Sequence, residues 1–82
     1  MIEVKVVDKG PLTKREAELL AMIAEGSLDA AIAIKLYRSR KTIENHLSNI
    51  YEKLGVKGSS VNSRSLAITK GFAHSIIAVN KH

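Results

Sequence analysis

The sequence predicts an all-α fold of four helices with a short extended N-terminal arm, and three observations carry that expectation. Apolar residues recur at helical spacing in four successive stretches, each stretch opens on a capping residue or closes on a glycine, and no hairpin signal interrupts them. At 82 residues the chain makes one domain, because a chain of this size buries only about 60 to 65% of the surface it exposes when unfolded. There is no room for a second core.

The arm comes first. Ile2-Glu3-Val4-Lys5-Val6-Val7 alternates apolar and polar side chains at period two, which suits an extended segment. No hairpin partner follows, so two alternatives stand: a mobile arm, or a strand paired with the apolar tail Ile76 to Val79, of the same chain or of another subunit. Gly10 and Pro11 end it, which sets the expected division: an arm over residues 1–11, a folded domain over 12–72 and a C-terminal tail over 73–82.

The first helix is expected over about 14 to 25. Thr13 is its N-cap and Glu16 completes a capping box, Leu12 staples the entry, Leu19, Leu20, Ile23 and Ala24 form the stripe, and Gly26 supplies the left-handed stop. A second, short helix is expected over about 28 to 36, capped by Ser27, with Asp29 favoured by the helix dipole and Ile32, Ala33 and Leu36 facing inward. Tyr37 and Arg38 make a turn. Ser39 then caps the longest helix, which runs to Leu54 on an inward stripe of Ile43, Leu47, Ile50 and Leu54, with Tyr51 on the flank and Gly55 as stop. After a loop from Val56 to Ser60, a fourth helix over about 61 to 70 carries Leu66 and Ala67, with Gly71 as its stop.

Composition narrows the function. Hydrophobic residues are 45% of the chain and charged ones 26%, ordinary globular values that exclude wholesale disorder. Cysteine is absent, and His46, His74 and His82 lack ligand-like spacing, so neither disulfides nor a metal is expected. No apolar run reaches the roughly 20 residues that span a bilayer and no signal-peptide pattern opens the chain, so a cytoplasmic protein without a membrane partner is expected. Nothing resembles a nucleophile with its base, a phosphate-binding glycine loop or a carboxylate dyad. No catalysis and no cofactor are expected. The net charge of +5 and the isoelectric point near 9.8 favour a polyanionic partner, of which nucleic acid is the commonest.

Charge placement decides between a polyanion reader and an ordinary basic surface. Two short helices joined by a tight turn, the second presenting a polar face from its first turn, are what a side-chain probe of the major groove requires. With Ile43, Leu47, Ile50 and Leu54 inward, the opposite face of the third helix carries Lys41, Thr42, Asn45, Ser48, Asn49 and Glu52, with Glu44 and His46 on its shoulders. Arg38, Arg40 and Lys41 crowd the helix N-terminus, against the dipole, where a nearby phosphate would relieve them. An outward amide such as Asn45 can pair in bidentate fashion with adenine, Glu44 can accept from cytosine N4, and Ser48 tolerates several partners. Tyr37 and Tyr51 read as turn and core packing, since a single-strand binder wants several clustered aromatics.

The residues that carry a family resemblance are Leu12-Thr13-Lys14-Arg15-Glu16, Ile32-Ala33 with Leu36, and the run from Ser39 to Val56. They resemble the LuxR/GerE-type helix-turn-helix family of bacterial transcription regulators over about residues 12 to 72. The resemblance implies that helices two and three form the reading unit and that helix four makes a dimer contact, here through Ser63, Arg64, Ala67 and Lys70. It implies base reading by Lys41, Glu44, Asn45 and Ser48, and backbone contacts by Thr13, Arg38, Arg40, Thr42, His46 and Lys53. Glu44 departs from the Lys or Arg common at its position, and a bridge to Arg40 or Lys41 is its other expected role. Lys57-Gly58-Ser59-Ser60 also departs from the family, in which an Arg soon follows the Gly-Val pair.

The expected function is therefore a sequence-specific regulator of transcription, a stand-alone effector domain that binds double-stranded DNA as a homodimer. The rival expectation is a protein-interaction module that pairs with a full-length regulator or with RNA polymerase without reading DNA. A sigma-factor region-four-like domain shares the architecture, but the ending Glu52-Lys53-Leu54-Gly55-Val56 argues for the first family.

Overall fold

A computed structural model describes residues 2–58 and 62–80, in which four helices and two three-residue strands follow in the order β1 (Val4–Val6), α1 (Lys14–Ala24), α2 (Asp29–Leu36), α3 (Arg40–Lys53), α4 (Ser63–Ala73) and β2 (Ile77–Val79). The end of the expected Val56–Ser60 loop, the expected helix start at 61 and His82 lie outside the described residues.

Helix α1 starts as its sequence dictates. The Thr13 hydroxyl accepts from the Glu16 N–H at 3.1 Å, the Glu16 carboxylate accepts from the Thr13 N–H at 2.8 Å, and Leu12 is buried beneath the entry. Helix α2 does not. Its N-cap is Leu28, without a side-chain hydrogen bond, and the expected cap Ser27 is used on both sides by other elements. The Ser27 N–H closes the end of α1 on the Met22 carbonyl, and the Ser27 carbonyl accepts from Arg64 Nη2 at 2.6 Å.

All four helices end in the same closure, in which the amide one residue beyond a left-handed residue reaches back to a carbonyl in the helix's last turn. The pairs are Ser27 to Met22, Arg38 to Ala33, Val56 to Tyr51 and Ile76 to Gly71. The left-handed residues are Gly26, Tyr37, Gly55 and Ser75. Two of them are the glycines expected as stops. Gly71 is not one of them: it lies inside α4, buried, and an added Cβ would stand 2.9 Å from Leu20 Cδ2 and 3.0 Å from Ile77 Cδ1. Its missing side chain lets α4 approach α1 and β2, and the helix continues to Ala73 because the turn is made at Ser75.

The arm pairs with the tail of its own chain. β1 and β2 are antiparallel with Val4 opposite Val79, Lys5 opposite Ala78 and Val6 opposite Ile77. Flanking bonds from the Val7 N–H to the Ile76 carbonyl and from the Asn80 N–H to the Glu3 carbonyl, both 2.8 Å, extend the ladder. The Glu25 carboxylate accepts from the Val4 N–H at 2.7 Å and so covers one position on the outer edge of β1. This small sheet is an addition to a mainly helical fold.

The core gathers Leu19, Leu20 and Ile23 of α1, Ile32 of α2, Ile43, Leu47 and Ile50 of α3 and Ala67 of α4, closed by Leu12, Val56, Ile76 and Ile77. Each such Leu or Ile contributes on the order of 1.5–3 kcal/mol by leaving water. α3 rests on α2, α1 and α4, whereas the strands rest on α1 and α4. The sheet thus supports the scaffold and leaves the outer face of α3 uncovered.

Candidate nucleic-acid interface

Ser39 sets the start of α3: its hydroxyl accepts from the Thr42 N–H at 3.1 Å and shares a hydrogen bond with the Thr42 hydroxyl at 2.9 Å. The inner stripe Ile43, Leu47, Ile50 and Leu54 is buried throughout. The rotation of the helix is therefore fixed, and Lys41, Glu44 and Asn45 are left exposed, with Ser48, Thr42 and His46 half-buried at the margins. No acidic residue lies in the first turn, while Arg38, Arg40 and Lys41 stand exposed around it. Among the described residues none of these three forms an ion pair, and Glu44 bridges to neither Arg40 nor Lys41. The leading end of α3 is an uncompensated positive pole set beside an amide and a hydroxyl.

The other expected contacts are placed less openly. The Thr13 hydroxyl is occupied in the capping box. The Lys53 ammonium donates to Glu16 Oε1 at 2.7 Å, which ties the end of α3 to the start of α1. Burial alone would raise the Glu16 carboxyl, but the Lys53 hydrogen bond and the backbone N–H of Thr13 outweigh it and hold the group below the ordinary value.

The four positions expected at a dimer contact turn back into their own chain. Ser63 Oγ donates to the Val56 carbonyl at 2.9 Å, Arg64 Nη1 donates to Asp29 Oδ1 at 2.8 Å, and Lys70 Nζ donates to the Leu54 carbonyl at 2.9 Å. Ala67 is wholly buried and presents no atom to a second copy. Outward on α4 lie Ser65, Thr69 and Phe72, spaced i, i+4, i+7, with Ala73 beside them at the helix end, a surface the sequence reading missed although the helical period contains it. Arg64 instead joins α4 to the start of α2, beside Tyr51, whose phenol is pushed up by burial.

Tyr37 packs on nothing: it is 93% exposed in a left-handed backbone at the turn. Ile34 is 77% exposed and Leu28 72%. The outward side of α2 is therefore apolar as well as its inward side, a feature that the alanine- and isoleucine-rich stretch from Asp29 to Leu36 showed in its composition.

Two short helices joined by the Tyr37 turn, the second seated on an apolar stripe with its polar face to solvent, define a helix-turn-helix DNA-binding domain. The comparison with known proteins gives the same class. Residues 10–66 match the family model of the bacterial regulatory proteins of the luxR family. The chain is 43% identical over 60 residues to the spore germination protein GerE of Bacillus subtilis, covering 73% of this chain and 81% of that protein. It is 38% identical to the uncharacterized transcriptional regulatory protein YvfU of the same organism, over 79% of this chain and 32% of that one. Identity to the probable transcriptional regulatory protein SgaR of Hyphomicrobium methylovorum is 36%, over 99% of this chain and 36% of that one. The chain belongs to the LuxR/GerE family of DNA-binding transcription regulators. It spans most of GerE but only about a third of the two longer relatives.

Proposed function

We propose that the chain reads double-stranded DNA sequence-specifically, as a stand-alone effector in the cytoplasm, a homodimer with one α3 in each of two major-groove half-sites about one helical turn, roughly 10 bp, apart. The observation that carries this reading is the fixed rotation of α3: its buried stripe leaves Lys41, Glu44 and Asn45 exposed and Ser48 half-buried beside them, and these four are the side chains assigned to base edges in this reading. Arg38, Arg40, Thr42 and His46 flank them for the backbone, with Thr13 and Lys53 in weaker supporting roles. Pairing of two copies is assigned to α4, through the outward Ser65, Thr69 and Phe72 with the half-exposed parts of Ser63, Arg64 and Lys70 beside them and Ala67 beneath.

Fluorescence anisotropy on operators selected from a random duplex library, at several salt concentrations, tests the reading. Asn45→Ala relaxes base preference and costs about 1 to 3 kcal/mol on the selected site. Arg40→Ala weakens all sequences by a similar factor and lowers the salt slope by about one. A flat salt response, or equal affinity for every sequence, sinks the proposal.

A second reading is favoured by one observation. The exposed apolar side of α2, with Leu28, Ile34 and Tyr37, is a surface that a protein partner such as RNA polymerase or a full-length regulator would cover. Substituting Ile34 by Lys separates the two: DNA affinity stays and transcriptional output falls if α2 serves a protein, whereas both stay if it does not.

A further inference from the structure

We propose that Arg15, Arg38 and His46 together form a site for one phosphate group of the DNA backbone, so that α1 contributes a DNA anchor of its own. The proposal rests on the reading of α3 as the groove helix. The three side chains come from α1, from the turn after α2 and from α3, and they line one cleft of about 90 Å³ floored by Leu36 and Ile43. A cleft this small holds a tetrahedral oxyanion and excludes a nucleoside or a drug-sized ligand, which needs at least about 300 Å³.

The electrostatics point the same way. Among the described residues no carboxylate lines the cleft. Among the described residues Arg15 forms one ion pair, with Glu18 at 3.8 Å between two well-exposed side chains, an interaction of little strength. Arg38 forms no ion pair among the described residues. Two guanidinium-bearing side chains and an imidazole are thus gathered with only the long, exposed Glu18 pair set against them among the described residues, and an oxyanion is the ligand that their charge and donors fit. Position selects the DNA backbone as its source. Arg38 immediately precedes the α3 N-cap, and His46 lies one turn beyond Thr42 on the same flank, so the cleft opens beside the end of α3 that carries Lys41. Neither composition nor helical period could have shown this, because Arg15 is distant in sequence from the reading unit.

The test uses the full chain with an operator selected from the random library, scanned one phosphate at a time with neutral methylphosphonate links, for the natural protein and for Arg15→Gln, Arg38→Gln and His46→Gln. Arg15 and Arg38 are exposed and His46 half-buried, and circular dichroism verifies that the variants fold. The expected result is one phosphate per half-site whose neutralisation weakens the natural protein about tenfold but Arg15→Gln about twofold or less, with the Arg15→Gln salt slope smaller by about one. Equal methylphosphonate penalties in both proteins, with sequence-specific binding and the Asn45→Ala effect intact, overturn this inference alone. Absence of specific binding to any selected operator overturns the groove-reading proposal and this one with it. Titration of inorganic phosphate, followed by NMR of the arginine Nε–H groups, separates the remaining source. Saturation at millimolar phosphate, without any phosphate-specific coupling on DNA, assigns the cleft to free oxyanions and overturns the backbone assignment.

Discussion

Replacing Arg64 by Met tests whether α4 holds the start of α2, and the structure sets the size of the effect. Arg64 Nη1 donates to Asp29 Oδ1 at 2.8 Å and Nη2 to the Ser27 carbonyl at 2.6 Å. Methionine keeps most of the aliphatic stem, so the loss is chiefly polar. An exposed ion pair contributes 0.2–1 kcal/mol and breaking a buried one costs about 3–5 kcal/mol. With side chains 31% and 21% exposed, the Arg64–Asp29 pair falls between these limits, at about 1–2 kcal/mol. The charge-assisted bond to Ser27 adds about 1 kcal/mol. Arg64→Met is therefore expected to cost about 2–3 kcal/mol. Asp29→Ala should cost about 1.5–2.5 kcal/mol, part of it from the lost charge at a helix start that has no side-chain cap. Urea unfolding of the natural protein, the two single variants and the double variant, followed by circular dichroism, yields the coupling energy directly. For a domain of this size the single Arg64 change lowers Tm by roughly 10 to 20 °C. A coupling energy below about 0.3 kcal/mol would refute the claim that these residues act as a unit.

Three further outcomes follow from the same contacts. Gly71→Ala gains about 1 kcal/mol of helix propensity but forces a methyl group to within about 3 Å of Leu20 and Ile77, an overpacking worth about 1–3 kcal/mol; a net loss of up to about 2 kcal/mol is expected in thermal unfolding, and a more stable variant contradicts the close approach. Tyr37→Asn relieves a left-handed backbone at a side chain that packs on nothing, and is expected to stabilise by about 0.5–1 kcal/mol; an unchanged or lower Tm argues against strain there. The Glu16 carboxyl is held lower in the folded chain than in the unfolded one, so its ionised form stabilises the fold above about pH 4.3 and that contribution is lost as pH falls from there through the folded value. Glu16→Gln should flatten the acid limb of a stability-against-pH curve, and identical acid limbs in the two proteins would exclude the linkage.

The elements that local chemistry specifies were legible in the sequence. The Thr13–Glu16 capping box, the Ser39 cap and the 3.6-residue stripe of α3 each determine one local conformation, and each is found as read. What depends on distant partners was not legible. Ser27 looks like a cap until Arg64, far along the chain, claims its carbonyl. Gly71 looks like a stop until Leu20 and Ile77 require the absence of a Cβ. The inward aim of Ser63, Arg64, Ala67 and Lys70 follows from the rotation of α4 about its axis, which Leu66 and Ala67 alone were too few to fix. At the interface the sequence placed the outward side chains of α3 but could not show that Lys53 is already engaged by Glu16 or that Arg15 lies beside Arg38 and His46.

The pairing of β1 with β2 bears on the order of folding. Val4 meets Val79 across nearly the whole chain, so the sheet forms only after a large loop has closed, whereas the helices grow from neighbours in sequence. The strands are expected to join last and to part first, with the Val7 and Asn80 amides exchanging with solvent before those in the middle of α1. Each parting uncovers the buried side of Ile77 and frees two short strands able to accept another chain's backbone. In a crowded solution, the hold of these two ends on each other therefore guards the domain against sticking to its own copies.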